Sequence, residues 1–431
     1  AQFTGCMNPC SFFASSCKSV CRHKKQPCHF IKLFLDDLEF DAQLQRTATA
    51  VNSGSADLGE MLATASRIAP GDFDDWFVKW SALAEATGKK ADAAAKAGHS
   101  VTAGKAYLRA TEYWRQSIFF IRHDLDDQRL QRGYQEHRKA FRSAIPFLPW
   151  SVTTAEIPLE GARMGTYLFR PDADTGVARP TLLVPCGYDS TAEAGYSIMA
   201  YMALPRGYNV LLWDGPGQGG TLYEQRVPMR PDFEAVLAPV IDWALKQPGV
   251  DARRLALIGR SFAGYLAPRA AAFEKRLAAL VCDPGQVEFV SRIVPKMFDE
   301  TTWQRVLAGD AALDKKLEGL LGSPQKREWY GARMATQGAK TVGDFLRQQP
   351  AYSFESMAGQ IQCPTLVTDG EGDFASQSQK LFDLLKCEKK LVSFKEAQGA
   401  GGHCCGLGQT LWEETVFDWL DDLFGFRRDK P

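Results

Sequence analysis

From residue 151 onward the chain repeats one pattern, a short apolar run followed by a helical stretch. The runs are "TLLVP" (181–185), "YNVLLWD" (208–214), "RLALIG" (254–259), "LAALVCD" (277–283), "PTLVTDG" (364–370) and "KKLVSFK" (389–395). Apolar runs of this length between helices read as strands buried on both faces, because each crossover lays a helix over the sheet. The pattern specifies an α/β class with a mostly parallel sheet flanked by helices. Ahead of it, "TTAEIPLE" and "MGTYLFRP" alternate like two antiparallel strands joined by a turn at Gly161.

Two helical blocks stand outside this rhythm. Residues 31–150 carry apolar side chains at helical spacing, with Phe73, Trp76, Phe77, Trp80 and Leu83 in one stretch and Tyr107, Leu108, Trp114 and Phe119 in the next. Ser100 is the expected N-cap of that second helix. Residues 286–358 interrupt the strands with another helical pattern, carrying Phe289, Ile293, Phe298, Trp303, Trp329 and Phe345. An insertion of that length between two strands is a candidate lid. The expected organisation is a cysteine-rich extension (1–30), a helical cap (31–150) and an α/β domain (151–431) with a helical insertion (286–358).

A chain of 431 residues with 45% hydrophobic residues can bury a large core. Its 51 basic and 51 acidic residues balance, so it lacks the basic excess of a nucleic-acid binder. No apolar run reaches the length of a membrane span. The scattered cysteines of the α/β part point to free thiols in a reducing compartment, and a cytoplasmic location is expected. Five of the 11 cysteines fall in the first 28 residues, among Lys18, Arg22, Lys24 and Lys25. The preferred reading of that segment is a weakly ordered extension; a leader or a zinc site using His23 or His29 are its rivals.

The chemistry is carried by "GRSFAG" (259–264), which follows an apolar run and precedes an alanine-rich helix. A serine on a tight strand-to-helix turn has its hydroxyl lifted clear of the sheet, which nominates Ser261 as a nucleophile. Its base should be His403. Of the six histidines, only this one lies beyond residue 150, in the glycine-rich loop "QGAGGHCCGLG". The acid should follow a strand between the two. "LVTDGEGDFASQ" offers Asp369, Glu371 and Asp373, ranked Asp373, then Asp369, then Glu371. The backbone amides of Phe262 and Tyr188 are the expected oxyanion donors, Tyr188 lying in "VPCGYDSTAEAGY" after the first parallel strand. Asp189 in the same loop faces either the reacting carbonyl or its own turn amides at Ser190 and Thr191. "WDGPGQGG" (213–220) lacks the Lys-Ser/Thr of a phosphate loop and reads as the turn after the next strand.

Together, "GRSFAGYLAPRAAAFEKRLAALVCDPG", "CGYDSTAEAGY", "DGPGQG", "GEGDFASQ" and "GAGGHC" resemble the FrsA-like α/β-hydrolases, a family that includes carbon–carbon hydrolases and fungal polyketide-shortening pigment enzymes. The resemblance covers roughly residues 70–425. It implies an α/β-hydrolase fold with a helical cap, and Ser261, Asp373 and His403 as nucleophile, acid and base. It also implies a reactive-site role for Asp189, since a carbon–carbon hydrolase of the family carries a longer Glu there. Ala263 departs from the commoner glycine, and a slightly distorted elbow is the expected consequence. The cap aromatics Trp76, Trp80, Tyr113 and Trp114, with Trp303 and Trp329 of the insertion, are candidates to line the substrate cleft.

The resulting expectation is a serine hydrolase without metal or cofactor, acting through an acyl-enzyme on a small or medium carbonyl substrate. The scissile bond is an ester, or a carbon–carbon bond beside an aryl or polyketide ketone. An acyl- or dipeptidyl-peptidase and a catalytically silent binding protein on the same fold are the alternatives. A homodimer is compatible with the sequence, and neither nucleic acid nor membrane is an expected partner.

Overall fold

The computed structural model describes residues 34–426. The cysteine-rich start, with its extension, leader and zinc readings, lies outside the described residues.

Eight strands form one sheet: β1 (Ser151–Leu159), β2 (Ala162–Arg170), β3 (Arg179–Pro185), β4 (Asn209–Trp213), β5 (Val250–Arg260), β6 (Ala279–Asp283), β7 (Thr365–Gly370) and β8 (Lys389–Phe394). Their order across the sheet is β1-β2-β4-β3-β5-β6-β7-β8. β1 and β2 form an antiparallel hairpin and β2 meets β4 antiparallel; every later pairing is parallel. Each apolar run of the sequence is a strand.

Side-chain alternation explains why those runs are apolar throughout. Leu183, Leu211, Leu255 and Leu257 face one core with Val236 and Val240 of a helix at Glu234–Ala244 and with Leu266. Leu182, Val210, Leu212, Ala256 and Ile258 face the other core with Trp412, Val416 and Phe417 of the C-terminal helix Gln409–Phe424. Both faces are covered, so neither parity can be polar.

Among the described residues, five α-helices precede the sheet: α1 (Leu38–Thr49), α2 (Leu58–Ala65), α3 (Phe73–Lys96), α4 (Ser100–Ser117) and α5 (Gln128–Ala144). Asp37, Asp57 and Asp72 cap α1, α2 and α3 by accepting first-turn amides. Ser100 is the first residue of α4; His99 holds the cap position without a side-chain bond. The stripe aromatics converge on one another. Trp76, Trp80, Tyr113 and Trp114 pack with Phe40 and Phe120 in a core internal to this block.

The insertion folds as α6 (Val290–Met297), α7 (Glu300–Leu307), α8 (Ala311–Leu317), α9 (Pro324–Gln337) and α10 (Val342–Gln348). Trp303, Val306, Leu313 and Phe345 form its own small core. No helix among the described residues is long and apolar enough to cross a membrane.

Candidate active site

Ser261 sits between β5 and the helix Ala263–Ala271, with φ at +58°. Few side chains adopt that conformation, and here it turns the chain sharply from strand into helix. Ser261 N–H donates to Asp283 O at 2.7 Å, which fixes the turn to the end of β6. The elbow's close approaches fall at two glycines. A Cβ on Gly259 would lie 2.0 Å from Ala263 O, and one on Gly264 would lie 2.0 Å from Pro284 O. Ala263 is fully buried and begins the helix. The approach that admits no side chain falls at Gly264, one residue past Ala263.

His403 follows Gly402 in the loop between β8 and the C-terminal helix. A Cβ on Gly370 would lie 2.2 Å from Gly402 O, so the end of β7 and the histidine loop touch through their backbones. The loop continues through Cys404, Cys405 and Gly406, all at positive φ. Arg260, the residue before the serine, braces it. Its guanidinium donates to Cys404 O at 2.9 Å, to Asp283 Oδ2 at 2.8 Å and to Gln409 Oε1 at 2.9 Å, and lies 4.2 Å over the Trp412 ring. Sequence reasoning passed over Arg260, although its position inside "GRSFAG" was the available signal.

The three expected groups come together. His403 Nε2 is 2.8 Å from Ser261 Oγ, and Nδ1 is 2.9 Å from Asp373 Oδ1. The Asp373 side chain is fully buried and also accepts the amides of Ala375 and Cys404. A carboxylate accepts only, so in the neutral imidazole Nδ1 carries the hydrogen and Nε2 presents a lone pair to the serine. Burial opposes a charged imidazole, but the adjacent Asp373 outweighs it and holds His403 well above the ordinary histidine range. The two lower-ranked acids lie elsewhere. Asp369 stays in β7, where burial pushes its carboxyl up. Glu371 is exposed and accepts the Glu396 amide.

The loop after β3 lies against the elbow. A Cβ on Gly187 would come within 3.2 Å of Arg260 O and of Ser261 Cβ. Among the described residues, the amides of Tyr188 and Phe262 donate to no protein acceptor. The turn after β4 holds this loop from behind. Asp214 accepts Ala192 N at 2.7 Å and Gly220 N at 2.9 Å, and Gln218 donates to Cys186 O at 2.5 Å. His137 Nε2 lies 2.8 Å from Thr191 Oγ1. "WDGPGQGG" is thus a brace for the Tyr188 loop.

Ser261 and His403 open on a cavity of about 770 Å³ between sheet, cap and insertion. Its aromatic walls include Phe119 and Phe120 of the cap, Phe289 and Trp329. Of the six aromatics nominated from sequence, only Trp329 is there. Trp76, Trp80, Tyr113, Trp114 and Trp303 are buried inside the helical blocks, because each block needs its own core before it can face anything else.

Asp189 lines the same cavity, and its partner was not foreseen. Arg122 Nη1 donates to Asp189 Oδ1, and Arg46 Nη2 donates to Asp189 O at 2.8 Å. Burial alone would raise this carboxyl, but Arg122, Arg333 and Arg46 hold it well below the usual carboxylate range. Asp189 is ionised and tied to the cap. A carboxylate spent on the amides of Ser190 and Thr191 does not fit this surrounding.

The chain's relatives fit this site. Residues 30–308 match the family described as Esterase FrsA-like. The hydrolase LUC6 of Fusarium sp is 32% identical over 396 residues, which cover 87% of this chain and 94% of the relative. The 20-hydroxy-prefusarin hydrolase FUS2 of Gibberella moniliformis is 30% identical, with 92% of this chain and 99% of the relative covered. Among solved structures, 2,6-dihydroxy-pseudo-oxynicotine hydrolase superposes with a TM-score of 0.69 at 21% identity, over 89% of this chain and 98% of that one. That likeness carries the fold, an α/β-hydrolase with a helical cap. On family match and full-length similarity together, the chain is a hydrolase that belongs to the FrsA-like esterase family.

Proposed function

We propose that the protein is a serine hydrolase that works through an acyl-enzyme on a carbonyl substrate bound in the cavity. The observation that carries this reading is the unbroken chain from Ser261 Oγ through His403 to buried Asp373, opening on that cavity. His403 takes the Ser261 proton as the serine attacks the carbonyl carbon. The oxyanion receives the amides of Tyr188 and Phe262. As the tetrahedral adduct collapses, the leaving oxygen of an ester, or the leaving carbon beside a ketone, takes the proton from His403. Water then hydrolyses the acyl-serine, with His403 as base, and the acid product leaves.

The bond class is an ester, or a carbon–carbon bond next to an aryl or polyketide ketone. Two similar proteins are named as hydrolases of 20-hydroxy-prefusarin and of 2,6-dihydroxy-pseudo-oxynicotine, which favours organic carbonyl substrates over peptides. A peptidase would need a free carboxylate for the peptide amine, and the carboxylate of the oxyanion loop, Asp189, is already held by Arg122. The test is labelling by a fluorophosphonate, followed by turnover of matched aryl esters, aryl ketones and peptide anilides. Labelling in the native protein and its loss in Ser261→Ala are expected. An unlabelled, folded native protein would sink the reading and favour a silent binding protein.

A further inference from the structure

Three arginines converge on one wall of the cavity, and among the described residues only one of them is hydrogen-bonded to a carboxylate. Arg46 on α1, Arg122 after α4 and Arg333 on α9 reach one wall from three separate elements. Two acids share that wall, and both are committed to Arg122 and its neighbour. Asp189 takes Arg122 Nη1. Glu328 takes the amides of Arg122 and His123 at 3.1 Å and lies 2.7 Å from His123 Nδ1.

Arg333 is left with the Trp329 carbonyl, one turn back in its own helix, at 2.9 Å. Arg46 has the Asp189 backbone carbonyl. Neither makes an ion pair among the described residues. Burial lowers both guanidinium pKa values, Arg46 to about 10. Glu39 on the same cavity surface offsets them only in part, because burial beside Asp37 and Glu328 pushes it up to about 7. Glu371 and Glu396 sit at the exposed rim.

Arg333 is also directed by its rings. Its guanidinium carbon lies 4.0 Å over Trp329 and 5.6 Å from the Tyr188 centroid. The Tyr188 ring packs edge-on to Phe262 at 4.5 Å, so Arg333 is one aromatic ring from the elbow. A guanidinium with covered faces offers its in-plane N–H edge, and the group that matches that edge is a planar carboxylate.

The geometry points to a substrate that carries a carboxylate, held by Arg333 with Arg46 adding charge, while its carbonyl lies on Ser261. This rests on the serine-hydrolase reading and adds the substrate class. An uncharged acyl chain would fill the aromatic walls and leave the half-buried Arg333 and Arg46 sharing Asp189 with Arg122, an excess of positive charge that a carboxylate would relieve.

The test uses p-nitrophenyl half-esters of succinate, glutarate and adipate against their methyl-capped, neutral counterparts. The native protein should prefer the best-fitting half-ester over its neutral partner, by about 10- to 100-fold in kcat/KM. Arg333→Gln should remove that preference, chiefly through a raised KM for the half-ester, so that half-ester and neutral ester are turned over alike. Arg333→Lys should restore part of it. No preference in the native protein, or an unchanged preference in Arg333→Gln, would overturn the inference. Neutral-ester turnover that survives Ser261→Ala would instead overturn the serine-hydrolase reading, so the two failures are distinguishable.

Discussion

The two oxygens of Asp373 hold two successive residues of the histidine loop. Oδ1 lies 2.9 Å from His403 Nδ1, and Oδ2 accepts the Cys404 amide at 3.2 Å. One carboxylate therefore fixes both the tautomer of the imidazole and the backbone that carries it.

Replacing Asp373 by Asn should lower kcat by about 10³- to 10⁴-fold, because the amide permits the wrong tautomer. Asp369→Asn should leave kcat within a few fold. The pH profile gives an independent readout. Only neutral imidazole accepts the serine proton, so kcat/KM rises as pH climbs through the His403 pKa. Asp373 holds that pKa up. Without its charge the acidic limb should move to lower pH, even as the plateau falls. A larger loss at Asp369, or a limb that moves to higher pH, would reassign the acid.

The elbow makes a prediction about stability. Gly264→Ala places a methyl 2.0 Å from the Pro284 carbonyl, and backbone cannot yield as a side-chain tip can. A loss of about 2 kcal/mol or more is expected, read as an earlier urea midpoint with an unchanged m-value. Ala263→Gly should bring no gain in stability or turnover, since the elbow's close approaches fall at Gly259 and Gly264.

What the sequence could reveal follows from how locally each feature is encoded. Parallel strands were legible because burial on both faces forces unbroken apolar runs, as in 181–185 and 254–259. Ser261 and His403 were legible because an elbow has a short local signature and the α/β part holds a single histidine. The cavity walls were not. Helical periodicity marks Trp76 and Trp80 as belonging to a buried face, but not what covers that face, and the answer was their own block. Arg46, Arg122 and Arg333 lie in three segments far apart in the chain, and no local pattern announces that they meet Asp189.

Asp189→Asn should affect esters and ketones alike. The pair with Arg122 ties the Tyr188 loop to the cap, and an amide would leave that guanidinium without its carboxylate. With Asp189 about a quarter exposed, the expected cost is about 1–3 kcal/mol, below that of a fully buried pair. Activity should fall on both substrate types together with thermal stability. Selective loss of ketone cleavage in a protein of native stability would show that the carboxylate acts on the leaving carbon.

The brace behind the oxyanion amides separates positioning from binding. Gln218→Ala removes the donor to Cys186 O, one residue before Gly187, without touching the cavity's aromatic walls. A small misplacement of the donors lowers transition-state stabilisation more than ground-state affinity. The expectation is a kcat reduced about tenfold or more, a KM changed little, and slower labelling by a fluorophosphonate. A rise in KM with normal kcat would mean that Gln218 shapes the substrate pocket instead.

The cap aromatics divide into two classes with opposite signatures. Trp76 is fully buried, with its ring 4.4 Å from Phe40 and its Nε1–H donated to Gln116 O at 2.8 Å. Trp76→Ala should cost about 3–5 kcal/mol of stability, by analogy with other large-to-small core changes. Any loss of turnover should then track the unfolded fraction. Trp329 is half-buried, lines the cavity and lies under Arg333. Trp329→Ala should leave the melting curve nearly unchanged and alter the ranking among acyl chains, because it removes an apolar wall and a support for the guanidinium together. The comparison that decides is labelling by a small fluorophosphonate, which needs Ser261 but not the far wall. A Trp329→Ala protein that labels at the native rate while its substrate ranking shifts makes this wall the specificity element. A protein that loses labelling and ranking in proportion would make Trp329 scaffold, like Trp76.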